Sequence, residues 1–176
     1  MKTALLMWIV VSVLTLAACN PTYIQHDYDQ DADFNQYETF AWMEQTTMTE
    51  GTPQAVQQSG LYEARIKRAV NEGLEKKGLR LVDSEPDLFI AYHIGIQDYT
   101  EIRRTGTGWG YDRNTRVDQF QEGTFILDLI DANKDQLVWR GIAEGVLDEY
   151  PTPEKMDRDV KNMVQRLLKK YPPPLD

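Results

Sequence analysis

The residues best spaced for chemistry lie in the run Asp27-Tyr28-Asp29-Gln30-Asp31-Ala32-Asp33-Phe34-Asn35-Gln36-Tyr37-Glu38. With Asp27 as position one, oxygen ligands fall at positions one, three, five, nine and twelve, an apolar residue at eight and a glutamate at the bidentate position. That is the ligand order of a calcium loop. Asp27, Asp29, Asp31 and Glu38 would then ligate the ion in a calcium-binding module. Two departures count against it: Ala32 stands where glycine makes the sharp turn, and the flanks at 23–26 and 39–43 read as strands, not helices. The competing reading is an acidic connection between two strands, its aspartates folding back onto local backbone.

A second constellation occupies 98–122, where Trp109 and Tyr111 stand among Gly106, Gly108 and Gly110 and the arginines Arg103, Arg104, Arg113 and Arg116. A loop of this length is functional or a mobile excursion. Trp109, Tyr111 and Arg113 are the candidate binding residues, an adaptable surface for a peptide or sugar. No Gly-Lys-Ser/Thr closes the Thr105-Gly106-Thr107-Gly108 stretch, so it is no phosphate cradle. His26 and His93 are the only histidines, too few and too far apart for a zinc set. Ser59 and Ser84 sit at a helix cap and a turn, outside any nucleophile elbow. Carboxylate pairs such as Asp128 and Asp131, or Glu144 and Asp148, arise freely among 28 acidic residues and assign no hydrolase. The expectation is a noncatalytic protein with no cofactor.

Cys19, the only cysteine, closes Leu16-Ala17-Ala18-Cys19 behind Lys2 and an apolar stretch from Ala4 to Leu14 broken only by Ser12. A positive start, an apolar middle and small residues at the end form an export signal. The apolar stretch ends at Ala18, short of the roughly 20 residues a membrane span needs. The run resembles the lipobox of bacterial lipoproteins. That resemblance implies cleavage between Ala18 and Cys19, a diacylglycerol thioether on Cys19 and acylation of the new amino terminus. Several chains matter, because a single acyl chain holds only marginally. Asn20, in place of aspartate at the next position, points to the outer membrane, with the domain facing the periplasm. The expected organisation is a signal peptide at 1–18, a lipidated tether at 19–22 and one domain at 23–176.

With residues 1–18 removed, 158 residues remain and the loss of Lys2 moves the formal charge from −9 to −10. One core suits that length. The acidic balance repels nucleic acid and anionic headgroups, which argues against both as partners. Without a second cysteine the mature chain has no disulfide framework.

The elements that must position these residues read as follows. Two short strands cover 23–29 and 37–43, and a polar loop covers 45–58. A helix begins after Ser59, with Tyr62, Ile66, Ala69, Val70, Gly73 and Leu74 on one face, and stops at Gly78. A strand at 87–97 sets Leu88, Ile90, Tyr92, Ile94 and Ile96 on one face and Phe89, Ala91, His93 and Gly95 on the other. A hairpin joins 124–131 to 136–147, with Gly141 and Gly145 on a face open to close approach by a helix. The last helix starts at Thr152-Pro153-Glu154 and carries Met156, Val160, Met163, Val164, Leu167, Leu168 and Tyr171 at helical spacing. This order predicts an α+β fold, a mainly antiparallel sheet of about five strands with two helices packed on one face.

Four blocks then converge: Asp31-Ala32-Asp33-Phe34-Asn35-Gln36-Tyr37-Glu38-Thr39-Phe40-Ala41-Trp42, Pro86-Asp87-Leu88-Phe89-Ile90-Ala91-Tyr92, Glu122-Gly123-Thr124-Phe125-Ile126-Leu127-Asp128-Leu129-Ile130-Asp131, and Leu137-Val138-Trp139-Arg140-Gly141. In this order they resemble the bacterial lipoproteins of domain of unknown function 4136. The resemblance implies an envelope protein with an α+β domain and no assigned activity, in which the Asp31 to Phe34 block is a strand-to-strand turn and Phe34 and Trp42 pack in the core. The leading expectation is a binding or scaffolding module that is held to the membrane through acyl chains on Cys19 and engages an envelope protein or glycan. The calcium module is the alternative, and an envelope hydrolase a third.

Overall fold

The computed structural model describes residues 22–43, 47–48, 60–105, 114–148 and 151–174, of which 47–48, 102–105 and 114–118 are described by backbone alone. Cys19, Trp109, Tyr111 and Arg113 lie outside the described residues. In chain order the elements are β1 (Tyr23–Tyr28), a 3₁₀ turn (Phe34–Gln36), β2 (Thr39–Trp42), β3 (Thr47–Met48), α1 (Gly60–Glu75), β4 (Arg80–Leu81), β5 (Leu88–Thr105), β6 (Asn114–Asp131), β7 (Gln136–Val146) and α2 (Pro153–Leu168). The strands form one sheet in the order β1-β7-β6-β5-β2-β4, with β3 also pairing with β5.

The α+β class stands, but the sheet is larger and more mixed than five mainly antiparallel strands. Pairing is antiparallel from β1 through β7 and β6 to β5, then parallel between β5 and β2, β2 and β4, and β3 and β5. The parallel part follows from the crossover through α1, which carries the chain from β2 back to β5 in the same direction. The stretch expected to be loop at 45–58 includes β3. The stretch expected to be loop at 98–122 is mostly strand: β5 and β6 pair continuously out to Thr105↔Asn114.

Both helices pack on one face, as their stripes require. Ile66, Val70 and Leu74 of α1 and Val160, Val164, Leu167 and Leu168 of α2 share one core with Leu88, Ile90, Tyr92 and Ile94 of β5 and Phe125, Leu127 and Leu129 of β6. Thr152 caps α2, its hydroxyl accepting from the Lys155 N–H at 3.3 Å ahead of Pro153. Gly78 ends the turn after α1 at φ +94°, a conformation glycine adopts without strain. A Cβ on Gly141 would stand 2.8 Å from Leu167 Cγ and would also strike the Trp139 ring, so this glycine lets α2 reach the sheet. Gly145 faces Thr22 instead. A bulge in β7 opposite Leu129 and Ile130 puts two successive residues, Val138 and Trp139, into the same core. Phe34 is buried and Trp42 half-buried, its indole donating to Asn71 Oδ1 at 3.0 Å, in keeping with the core places expected for both.

A candidate binding face on the helix-free side of the sheet

Strand alternation sends one set of side chains away from the helices. The register aligns this set in rows across four strands. Ala91, Asp128, Arg140 and Asp27 form one row, His93, Ile126, Ile142 and Gln25 the next, and Gly95, Thr124, Glu144 and Tyr23 the third. Phe89, Ile126, Ile130 and Ile142 are half-buried there, with no helix over them among the described residues.

At the centre of the face Arg140 grips Asp128 with a fork. Its Nε donates to Oδ1 and its Nη2 to Oδ2, both at 2.7 Å. Asp128 is 3% exposed and is shielded by this partner. The bonds to Asp128, opposed by burial, raise the affinity of Arg140 for its proton. His93 Nε2 stands 3.7 Å from Asp128 Oδ2.

One row further, Gly95 leaves a dent: a Cβ there would meet nothing within 4 Å. Thr124, the residue paired with Gly95, lines a polar groove of about 210 Å³ together with Gln97, Tyr99, Glu122 and Glu144. Tyr99 stacks on Phe120 across the strands at 5.7 Å and its hydroxyl donates to Gln97 Oε1 at 3.0 Å. Amide, hydroxyl, carboxylate and aromatic groups together can hold a polar ligand with an apolar flank, the composition of a recognition surface.

The sequence-derived candidates fare differently. Asp27, Asp29, Asp31 and Glu38 do not converge, since among the described residues no group of three or more His, Cys, Asp or Glu side chains could hold a metal ion. Asp27 and Asp29 turn an oxygen to the local backbone instead, and Asp29 also accepts from Gln136 Nε2 at 2.7 Å. Asp27 accepts from the Tyr28 N–H, Asp29 from the Asp31 N–H and Asp33 from the Asn35 N–H, while Glu38 is carried off along the entry to β2. Of the carboxylate pairs, Asp128 lies on the helix-free face. Asp131 is buried elsewhere, accepting from Tyr37 and from the Asn133 and Lys134 N–H groups. Asp148 pairs with Lys155 at 3.3 Å, so neither pair faces the other across a cleft. The segment 106–113 with Trp109, Tyr111 and Arg113 links Thr105 to Asn114, the last paired positions of β5 and β6. The helix-free face leaves only a partial signal in the sequence, the alternation that sets Phe89, Ala91, His93 and Gly95 on one side of their strand.

The family model described as domain of unknown function DUF4136 matches residues 24–173. The chain belongs to this family. Among curated proteins, no relative matches it. Two crystal structures show the same fold. A PDZ domain protein from Parabacteroides distasonis is 17% identical with a TM-score of 0.57, the match covering 94% of this chain and 39% of that one. A DUF4136 family protein from Bacteroides thetaiotaomicron is 15% identical with a TM-score of 0.53, over 88% of this chain and 97% of that one. This chain thus spans well under two thirds of the first protein and nearly all of the second. At these identities the likeness concerns the fold alone. Among the described residues, no helix is long and apolar enough to cross a membrane.

Proposed function

We propose that the chain is a noncatalytic, lipid-anchored binding module of the cell envelope. Residues 1–18 direct export, cleavage follows Ala18, and acyl chains on Cys19 hold the domain at 23–176 to the outer membrane, facing the periplasm. There it holds an envelope protein or glycan on the helix-free face, with Trp109, Tyr111 and Arg113 extending the contact. One observation carries this reading: a sheet face bears half-buried Phe89, Ile126 and Ile142 and, in the row where a Cβ on Gly95 finds open space, a polar groove at Thr124. Such a face offers contact area and orienting groups.

The test compares crosslinked envelope partners of the wild-type protein with those of Gly95→Trp, which fills the dent, and of Trp109→Ala with Tyr111→Ala. The expected result is loss of the same partner in the Gly95 variant, with partial loss in the aromatic variants. Identical partner profiles would remove the face from consideration. Fractionation of Cys19→Ser tests the anchor separately, with release from the membrane expected.

A further inference from the structure

Beyond the point where β7 ends, at Val146 opposite Glu122, β5 and β6 continue as a two-stranded ribbon that, among the described residues, pairs with no third strand. From Asp98↔Gln121 to Thr105↔Asn114 it spans eight paired positions, about 26 Å at the usual strand rise. The chain enters the sheet at this same end. Tyr23 pairs with Glu144, two residues before Val146, while Tyr28 pairs toward the opposite end with Trp139. Thr22 is fastened there too, its carbonyl accepting from Arg166 Nη2 at 2.7 Å.

The end of the ribbon is also distinct in charge. Its last four positions on each strand, 102–105 and 114–117, contain Arg103, Arg104 and Arg116 and no acid, within a mature chain of net charge −10. Nearer the root the charges are acidic, with Glu101 paired to Asp118. The register sets Arg103 directly opposite Arg116.

The orientation follows from lengths and rests on the proposed anchor at Cys19. Four residues from Cys19 to Tyr23 reach at most about 14 Å. The body of the sheet, from the row of Gly95 back to Leu88, is about 23 Å deep. A ribbon pointing away from the bilayer would put that body between Tyr23 and the membrane, farther than the tether reaches. The remaining orientations bring the ribbon toward the bilayer or along it. We propose that the β5–β6 ribbon is a membrane-facing element whose end, through Arg103, Arg104 and Arg116, rests on the anionic headgroups of the bilayer that holds Cys19.

The processed, lipidated protein provides its own test, because with Cys19 consumed a Thr105→Cys variant has a single free thiol. A nitroxide on that thiol is compared with one on Asn133→Cys, in the β6–β7 turn at the far end. The vesicles are phosphatidylethanolamine with phosphatidylglycerol, or phosphatidylcholine alone. In the anionic vesicles the label at 105 is expected to be shielded from an aqueous nickel chelate and reached by oxygen, while the label at 133 stays water-exposed. Charge reversal at Arg103, Arg104 and Arg116 should weaken this contact by more than the roughly fivefold per arginine that loss of one positive charge gives. Arg→Gln at the same three positions serves if reversal disturbs the ribbon. Equal water exposure at 105 and 133 in protein that floats with the vesicles would overturn the proposal, and so would equal shielding in phosphatidylcholine. A Cys19→Ser chain that still floats would instead remove the anchor from which the orientation is derived.

Discussion

Tyr37 Oη donates a 2.9 Å hydrogen bond to Asp131 Oδ2, fastening the 3₁₀ turn after β1 to the β6–β7 turn. Burial pushes the Asp131 carboxyl up. The Lys134 N–H, the Tyr37 hydroxyl and the Asn133 N–H outweigh it and hold the group below its ordinary range. Burial, and then the bond to Asp131, push Tyr37 up to about 12.

The signs differ at the two ends of the pH scale. Asp131 titrates lower when folded, so its contribution is present above about pH 4 and is lost as pH falls through the depressed value. Tyr37 titrates higher when folded, so its contribution is present below about pH 10 and is lost as pH rises toward 12. Tyr37→Phe is expected to cost about 1–2 kcal/mol near neutrality and to flatten both flanks. Urea midpoints measured across acid and alkaline buffers check this; an unchanged acid flank would contradict the coupling.

Two glycines of the sheet should respond in opposite ways. Gly141→Ala drives a methyl against Trp139 and Leu167 and is expected to cost about 2 kcal/mol or more, within the range for overpacked cores. Gly95→Ala enters open space in a strand and should be neutral or mildly stabilising. Thermal melts of the two variants make the comparison, and similar losses would mean that the helix-free face is covered.

The fork between Arg140 and Asp128 should behave as a unit. Arg140→Ala strands a carboxylate that is 3% exposed and is expected to cost about 1–3 kcal/mol. Replacing Asp128 by Ala as well should recover part of that loss, and a double-mutant cycle by chemical denaturation reads the coupling. Additive losses would show that the two groups act separately.

On the helical side, Asp157 accepts from Arg65 at 2.7 Å and from Arg68 at 3.1 Å, with its side chain about half exposed. Asp157→Ala is expected to cost less than about 1 kcal/mol, and less again at high salt. Melting temperatures at low and high ionic strength measure it.

The sequence foretold what is local. Thr152-Pro153 marks the start of α2, Gly78 closes the turn after α1, and the alternation from Leu88 to Ile94 marks the buried face of β5. Pairing is not local, so two-residue strands such as β3 and β4, and the parallel sense in which β2 meets β4 and β5, left no pattern to read. The ribbon was hidden for a different reason. Its residues carry no sustained apolar alternation, so nothing in the sequence marks them as strand. The acidic composition likewise concealed a basic end, since a net charge does not say where the charges lie.

β1 is the first strand of the described chain, yet its partner is β7 and the strut at Thr22 comes from Arg166 in α2. A chain that emerges amino terminus first therefore carries an undocked leading strand until nearly all of the domain has appeared. The order of synthesis and the order of assembly run in opposite senses at this edge. A stop before Gln136 removes the strand that β1 pairs with, leaving residues 23–28 an unpaired edge open to another chain.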